Sequence, residues 1–84
     1  MKKDTKMELD EINHVVVEQI CKLFDVPPDS ILTISNIKDW DSINHINLMV
    51  MIEDVFEINL DYAEFKNCNS NTKISKLVSE TINE

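Results

Sequence analysis

Residues 38–56, KDWDSINHINLMVMIEDVF, decide how this chain folds. They read as a loop ending at Trp40, a polar pair Asp41-Ser42, and then a helix. Asp and Ser side chains accept hydrogen bonds from the free N–H groups of a helix start, so this pair marks the N-terminus and Ile43, Asn44 and His45 form the first turn. With successive residues about 100° apart around the axis, His45, Leu48, Met49, Ile52, Val55 and Phe56 share one side, which is expected to be core. Ile43, Ile46, Asn47, Val50, Glu53, Asp54 and Glu57 share the other. A helix face turned to water is ordinarily polar throughout. Here Ile43, Ile46 and Val50 make an apolar strip edged by the carboxylates of Glu53, Asp54 and Glu57, and such a strip is expected to meet a partner.

Upstream, Leu9, Ile12, Val16, Ile20 and Leu23 step by three or four, which predicts an amphipathic helix over 8–24. Asp10 and Glu11 near its start and Lys22 near its end suit the helix dipole. Pro27 then biases its predecessor away from helical geometry and stops the helix. In the long connection over 29–40, Ile31, Ile34 and Ile37 are spaced to dip repeatedly into the core. Trp40 is expected to do the same, its indole N–H reaching a loop carbonyl or water.

Downstream, the organising helix is expected to end near Glu57, and 58–61 to turn the chain. A short helical piece over 62–66 buries Phe65 and part of Tyr62. Asn71 or Thr72 caps a last helix whose stripe is Ile74, Leu77, Val78 and Ile82. Residues 1–7 are charged and read as a frayed terminus. The fold class is therefore all-α: one domain over 1–84, a small antiparallel bundle of three main helices plus one short helix. In it Leu48, Ile52, Val55 and Phe56 meet Leu9, Ile12, Val16 and Ile20 on one side and Ile74, Leu77 and Val78 on the other.

Composition narrows the function. A chain of 84 residues supports one small core, and its 43% hydrophobic content is enough to pack it. The formal net charge of −8 argues against nucleic acid, because phosphate contacts need Lys or Arg. Asp39, Asp41, Glu53, Asp54, Glu57, Asp61 and Glu64 crowd a stretch with no Lys or Arg, which points to basic partners. No run is long enough to span a membrane, and the basic start lacks the apolar segment of a secretory signal. A cytoplasmic monomer is the expected form. Cys21 and Cys68 match no metal-ligand spacing and read as one small buried hydrophobe and one loop thiol rather than a disulfide.

Other residues carry little chemistry when read alone. Asp39-x-Asp41 starts like a calcium loop, but Asn44 stands where Gly belongs and Val50 where Glu belongs, so no metal site is assigned. A Ser42/His45 nucleophile pair lacks an orienting acid, and His45 reads as a partly buried helix-edge residue. His14 reads as surface. No catalytic residue is assigned, and Ser42 in isolation reads as a helix cap.

The triplet Asp41-Ser42-Ile43 at a helix start, followed by a mostly apolar helix ending Ile52-Glu53-Asp54-Val55-Phe56, resembles the acyl carrier protein family. In that family the Ser of an Asp-Ser-Leu motif is esterified by 4′-phosphopantetheine from coenzyme A, whose thiol carries the acyl cargo. The resemblance extends from Leu9 to Ile82. It implies a non-catalytic carrier with phosphopantetheine on Ser42 and with Asp41 orienting that Ser or contacting the transferase's metal. Its partners would be a phosphopantetheinyl transferase and acyl-loading, acyl-modifying or acyl-transferring enzymes, docking on Ile43, Ile46, Val50, Glu53, Asp54 and Glu57. It also implies thioester intermediates of fatty-acid, polyketide or related biosynthesis.

Two departures shape that expectation. Housekeeping fatty-acid carriers tend to have acids where this chain has Asn44 and Asn47. The entry Asp39-Trp40-Asp41-Ser42 replaces a Leu-Gly-x-Asp-Ser type and looks more like discrete carriers of polyketide, nonribosomal peptide or other specialised pathways. A peptidyl or aminoacyl carrier is thus an alternative, and an unmodified acidic helical interaction module is another.

Overall fold

The computed structural model describes residues 8–83, and the expected fraying of 1–7 lies outside them. The described chain is all-α, with helices α1 (Leu9–Phe24), α2 (Ser42–Phe56), α3 (Tyr62–Phe65) and α4 (Asn71–Ile82). α1 packs most extensively along α4 and also against α2, while α3 rests on α4. Ile12, Val16, Ile20 and Phe24 of α1 form the core with Leu48 and Ile52 of α2, Phe65 of α3, and Ile74, Leu77 and Val78 of α4. A polar tie joins α1 to α4: Asn13 Oδ1 accepts from Asn71 Nδ2 at 2.9 Å and from Ser75 Oγ at 2.8 Å.

The helix ends follow from local chemistry. Asp41, Asp61 and Ser70 cap α2, α3 and α4 through side-chain oxygens, so α4 is capped by Ser70 rather than by Asn71 or Thr72. α1 and α2 both close on a left-handed residue, Asp25 at φ 57° and Glu57 at φ 56°. That conformation brings the Val26 N–H onto the Cys21 carbonyl and the Ile58 N–H onto the Glu53 carbonyl. The chain has no glycine, so each left-handed position bears a Cβ. The resulting crowding costs about 1–2 kcal/mol for an ordinary residue and less for Asp. Glu57→Gly is therefore expected to raise the unfolding free energy by about 1 kcal/mol, and Asp25→Gly by less. Urea titrations of both variants check this, and a loss of stability in Glu57→Gly contradicts it.

Several expected core residues lie elsewhere. Leu9, the first residue of α1, is half exposed and lines a surface hollow with Thr72 and Ser75 of α4 rather than entering the core. Val55 is also exposed and Phe56 only partly buried, since the neighbouring elements press on the earlier turns of α2. Ile31 faces water, whereas Leu32 and Ile37 are buried. The connection explains this: an antiparallel bridge pairs Thr33 with Ser70, with Ile34 N–H donating to Asn69 and Asn71 N–H to Leu32. Extended chain sends neighbouring side chains to opposite faces, so Leu32 enters the core and Ile31 does not.

Candidate functional site

The site is the first turn of α2 with the loop before it and α3 beside it. Asp41, not Ser42, is the cap: its Oδ1 accepts from the Asn44 N–H at 2.9 Å, and its carbonyl accepts from the His45 N–H at 2.8 Å. Ser42 is the first helical residue and is exposed, so its hydroxyl is not spent on capping. Among the described residues, nothing accepts from the N–H groups of Ser42 and Ile43. These donors sit at the positive end of the helix dipole, where a negative group is favoured.

Asn44 and Asn47 do more than dilute charge. Asn44 Nδ2 donates to the Asp39 carbonyl at 2.9 Å, and Asn47 Nδ2 donates to Asn44 Oδ1 at 3.2 Å. The pair braces the entry loop against α2. An acid at Asn44 would set a carboxylate against a carbonyl there and lose that donor.

His45 corrects its own sequence reading, because it is fully inside the fold rather than at a helix edge. Trp40 Nε1–H donates to His45 Nδ1 at 2.8 Å, and His45 Nε2 lies 2.8 Å from the Phe65 carbonyl oxygen. Indole N–H can only donate and a carbonyl can only accept. The ring is therefore the tautomer protonated at Nε2, which donates to Phe65. Both nitrogens are engaged, so His45 is no base for Ser42. Trp40 finds a side-chain acceptor instead of the expected loop carbonyl or water, and stacks on Phe24 with ring centroids 5.3 Å apart. The Trp40–His45–Phe65 chain fastens the loop, α2 and α3 around Ser42.

These elements frame a cleft of about 290 Å³ lined by Ile34, Trp40, Asp41, Ser42, His45, Tyr62 and Lys66. Tyr62 and Lys66 were not readable as site residues, since they are distant from Ser42 in sequence and come to it only through the placement of α3. Ile43, Ile46 and Val50 are 72%, 43% and 54% exposed, so the apolar strip exists beside Ser42. Asp54 and Glu57 are exposed at its far end. Glu53 differs from the expected free edge charge: its Oε2 accepts from the Leu60 N–H at 2.8 Å and closes the turn after α2.

Both cysteines are free, and the loop residue Cys68 is the buried one, its Sγ against the carbonyls of Glu64 and Lys73. Burial pushes both thiols up, with Asp29 adding to the effect at Cys21. At Cys68 Lys73 opposes the rise, whereas Glu64 and Glu80 reinforce it. The thiolate is the reactive form, so both should label slowly at neutral pH, Cys68 only on unfolding. A timed thiol-labelling assay checks this, and a rapid Cys68 reaction in the folded protein contradicts it. Among the described residues no group of three or more His, Cys, Asp or Glu side chains is placed to hold a metal ion, and no helix is long and apolar enough to cross a membrane. No family model matches the chain, and no curated protein or solved structure matches it.

Proposed function

We propose that this chain is a non-catalytic acyl carrier of the acyl-carrier-protein type, bearing 4′-phosphopantetheine on Ser42. The observation that carries the reading is the division of labour at the start of α2. Asp41 supplies the cap, leaving the Ser42 hydroxyl exposed at a helix N-terminus beside an apolar strip. The surroundings fit the group: a phosphodiester on Ser42 would meet the unpaired N–H groups of Ser42 and Ile43, with Lys66 on the same cleft. When bound, the arm supplies a thiol that holds acyl groups as thioesters. The protein's own residues hold the attachment point rigid and present a docking face. Tethering turns the encounter of substrate and enzyme into a local search at raised effective concentration.

The Ile43–Ile46–Val50 strip would dock the transferase and then the acyl-loading, acyl-modifying or acyl-transferring enzymes in turn. A small apolar patch releases quickly and edge charge speeds arrival, which suits a carrier that visits several enzymes. A reducing cytoplasmic setting accords with both cysteines being free. Asp54→Lys is expected chiefly to slow association, whereas Ile46→Ala or Val50→Ala chiefly speeds dissociation. Stopped-flow binding to the phosphopantetheinyl transferase measures both; unchanged rates in all three variants reject this face.

The reading is tested by intact mass after incubation with coenzyme A and a promiscuous phosphopantetheinyl transferase. Wild type should gain one phosphopantetheine and Ser42→Ala none. Equal masses before and after, for wild type, would instead favour an unmodified interaction module that uses the same strip.

A further inference from the structure

Resting on that carrier reading, we infer that Lys66 is the counter-ion of the phosphodiester on Ser42 and holds the base of the arm across the cleft between the entry loop, α2 and α3. Ser42 and Lys66 line the same cleft, and among the described residues Lys66 is the only Lys or Arg that does. It ends the acidic stretch: no Lys or Arg occurs from Asp39 to Phe65. Among the described residues no carboxylate lies within 4.0 Å of its ammonium. Its side chain is exposed at the C-terminal end of α3, on a flexible stem with three donors.

The electrostatics ask for such a partner. A phosphodiester on Ser42 adds a negative charge next to the Asp41 carboxylate, which is fixed in place by its hydrogen bond to the Asn44 N–H. Helix-end N–H groups offset part of that repulsion, and Lys66 supplies a full positive charge on the cleft. Ile34, Trp40 and Tyr62 line the rest of that cleft and would offer apolar surface to the base of an arm attached at Ser42. Lys66 is thus a positioning residue, acting on where the arm rests rather than on any reaction. His45 stays out of this contact, since both its ring nitrogens are engaged.

The test uses phosphorus NMR of the loaded protein in four forms: wild type, Lys66→Gln, Lys66→Arg and Lys76→Gln. Lys76 is exposed on α4 and lines a separate surface hollow with Glu64, Cys68, Lys73, Leu77 and Glu80. An exposed ion pair of this kind shifts the docked population by up to about five-fold. The wild-type phosphorus resonance should therefore move on adding salt toward the position it has in Lys66→Gln, and that variant should respond little. Lys66→Arg and Lys76→Gln should behave as wild type. Equal resonances and equal salt responses in wild type and Lys66→Gln overturn the inference, as does an equal change in Lys76→Gln. Failure of wild type to take up phosphopantetheine would defeat the carrier reading itself; uptake with an indifferent phosphorus defeats only the role of Lys66.

Discussion

Phe65→Ala is expected to lower the unfolding free energy by about 3–5 kcal/mol, most of what a domain of this size has to lose. Phe65 has no exposed surface, although it belongs to a helix of four residues that cannot hold itself together. Its ring packs against His45 with centroids 4.5 Å apart, and its carbonyl faces His45 Nε2. Truncation removes the anchor that keeps α3 on the bundle and opens a cavity beneath the Ser42 cleft. Phe56→Ala is the internal control. That ring is only partly buried, so its loss should cost about 1–2 kcal/mol. Urea unfolding followed by circular dichroism measures both; a larger loss for Phe56→Ala would contradict the assigned core.

The second large effect belongs to His45. In His45→Leu the volume is nearly kept, but the Trp40 indole N–H loses its acceptor and the Phe65 carbonyl its donor, both in the interior. Each abandoned buried group costs about 1–3 kcal/mol, so the variant should lose about 2–5 kcal/mol. Gln carries an acceptor and donors on one side chain, and His45→Gln is expected to recover part of the loss. Denaturant titrations give the energies, and the near-ultraviolet circular dichroism of the single tryptophan reports whether the loop stays fastened. A His45→Leu protein of wild-type stability would show that the Trp40–His45–Phe65 chain is incidental.

These two residues show where the sequence could and could not be read. The steps of Ile12, Val16 and Ile20, and of Ile74, Leu77 and Val78, place α1 and α4, and the Asp41-Ser42 pair places the start of α2. Each is a local signal, set by helix period or cap chemistry. A wheel gives the direction of a side chain but not how far along the axis a neighbour extends. Val55 and Phe56 therefore pointed coreward without being enclosed. Ile31 and Leu32 were exchanged because the bridge between Thr33 and Ser70 sets the phase of the loop, and that contact is remote in sequence. The partner of Trp40 was hidden for a similar reason: the loop turn before α2 decides that the indole meets Nδ1 of His45. At the site, Ser42, Asp41 and the strip of Ile43, Ile46 and Val50 were readable from one helix. The tie through Phe65, the engagement of Glu53 by Leu60 and the approach of Lys66 were not, since each depends on where α3 comes to rest.

The central claim, that Ser42 carries a covalent thiol-bearing arm, is tested most directly on protein isolated from the organism that makes it. Trypsin cuts after Lys38 and Lys66 and releases 39–66, in which Ser42 is the only Ser or Thr and there is no Cys. Mass spectrometry of that peptide should find a form heavier by one phosphopantetheine, which takes up one thiol reagent where the bare peptide takes none. A peptide found only at its unmodified mass, with no reactive thiol, would contradict the account.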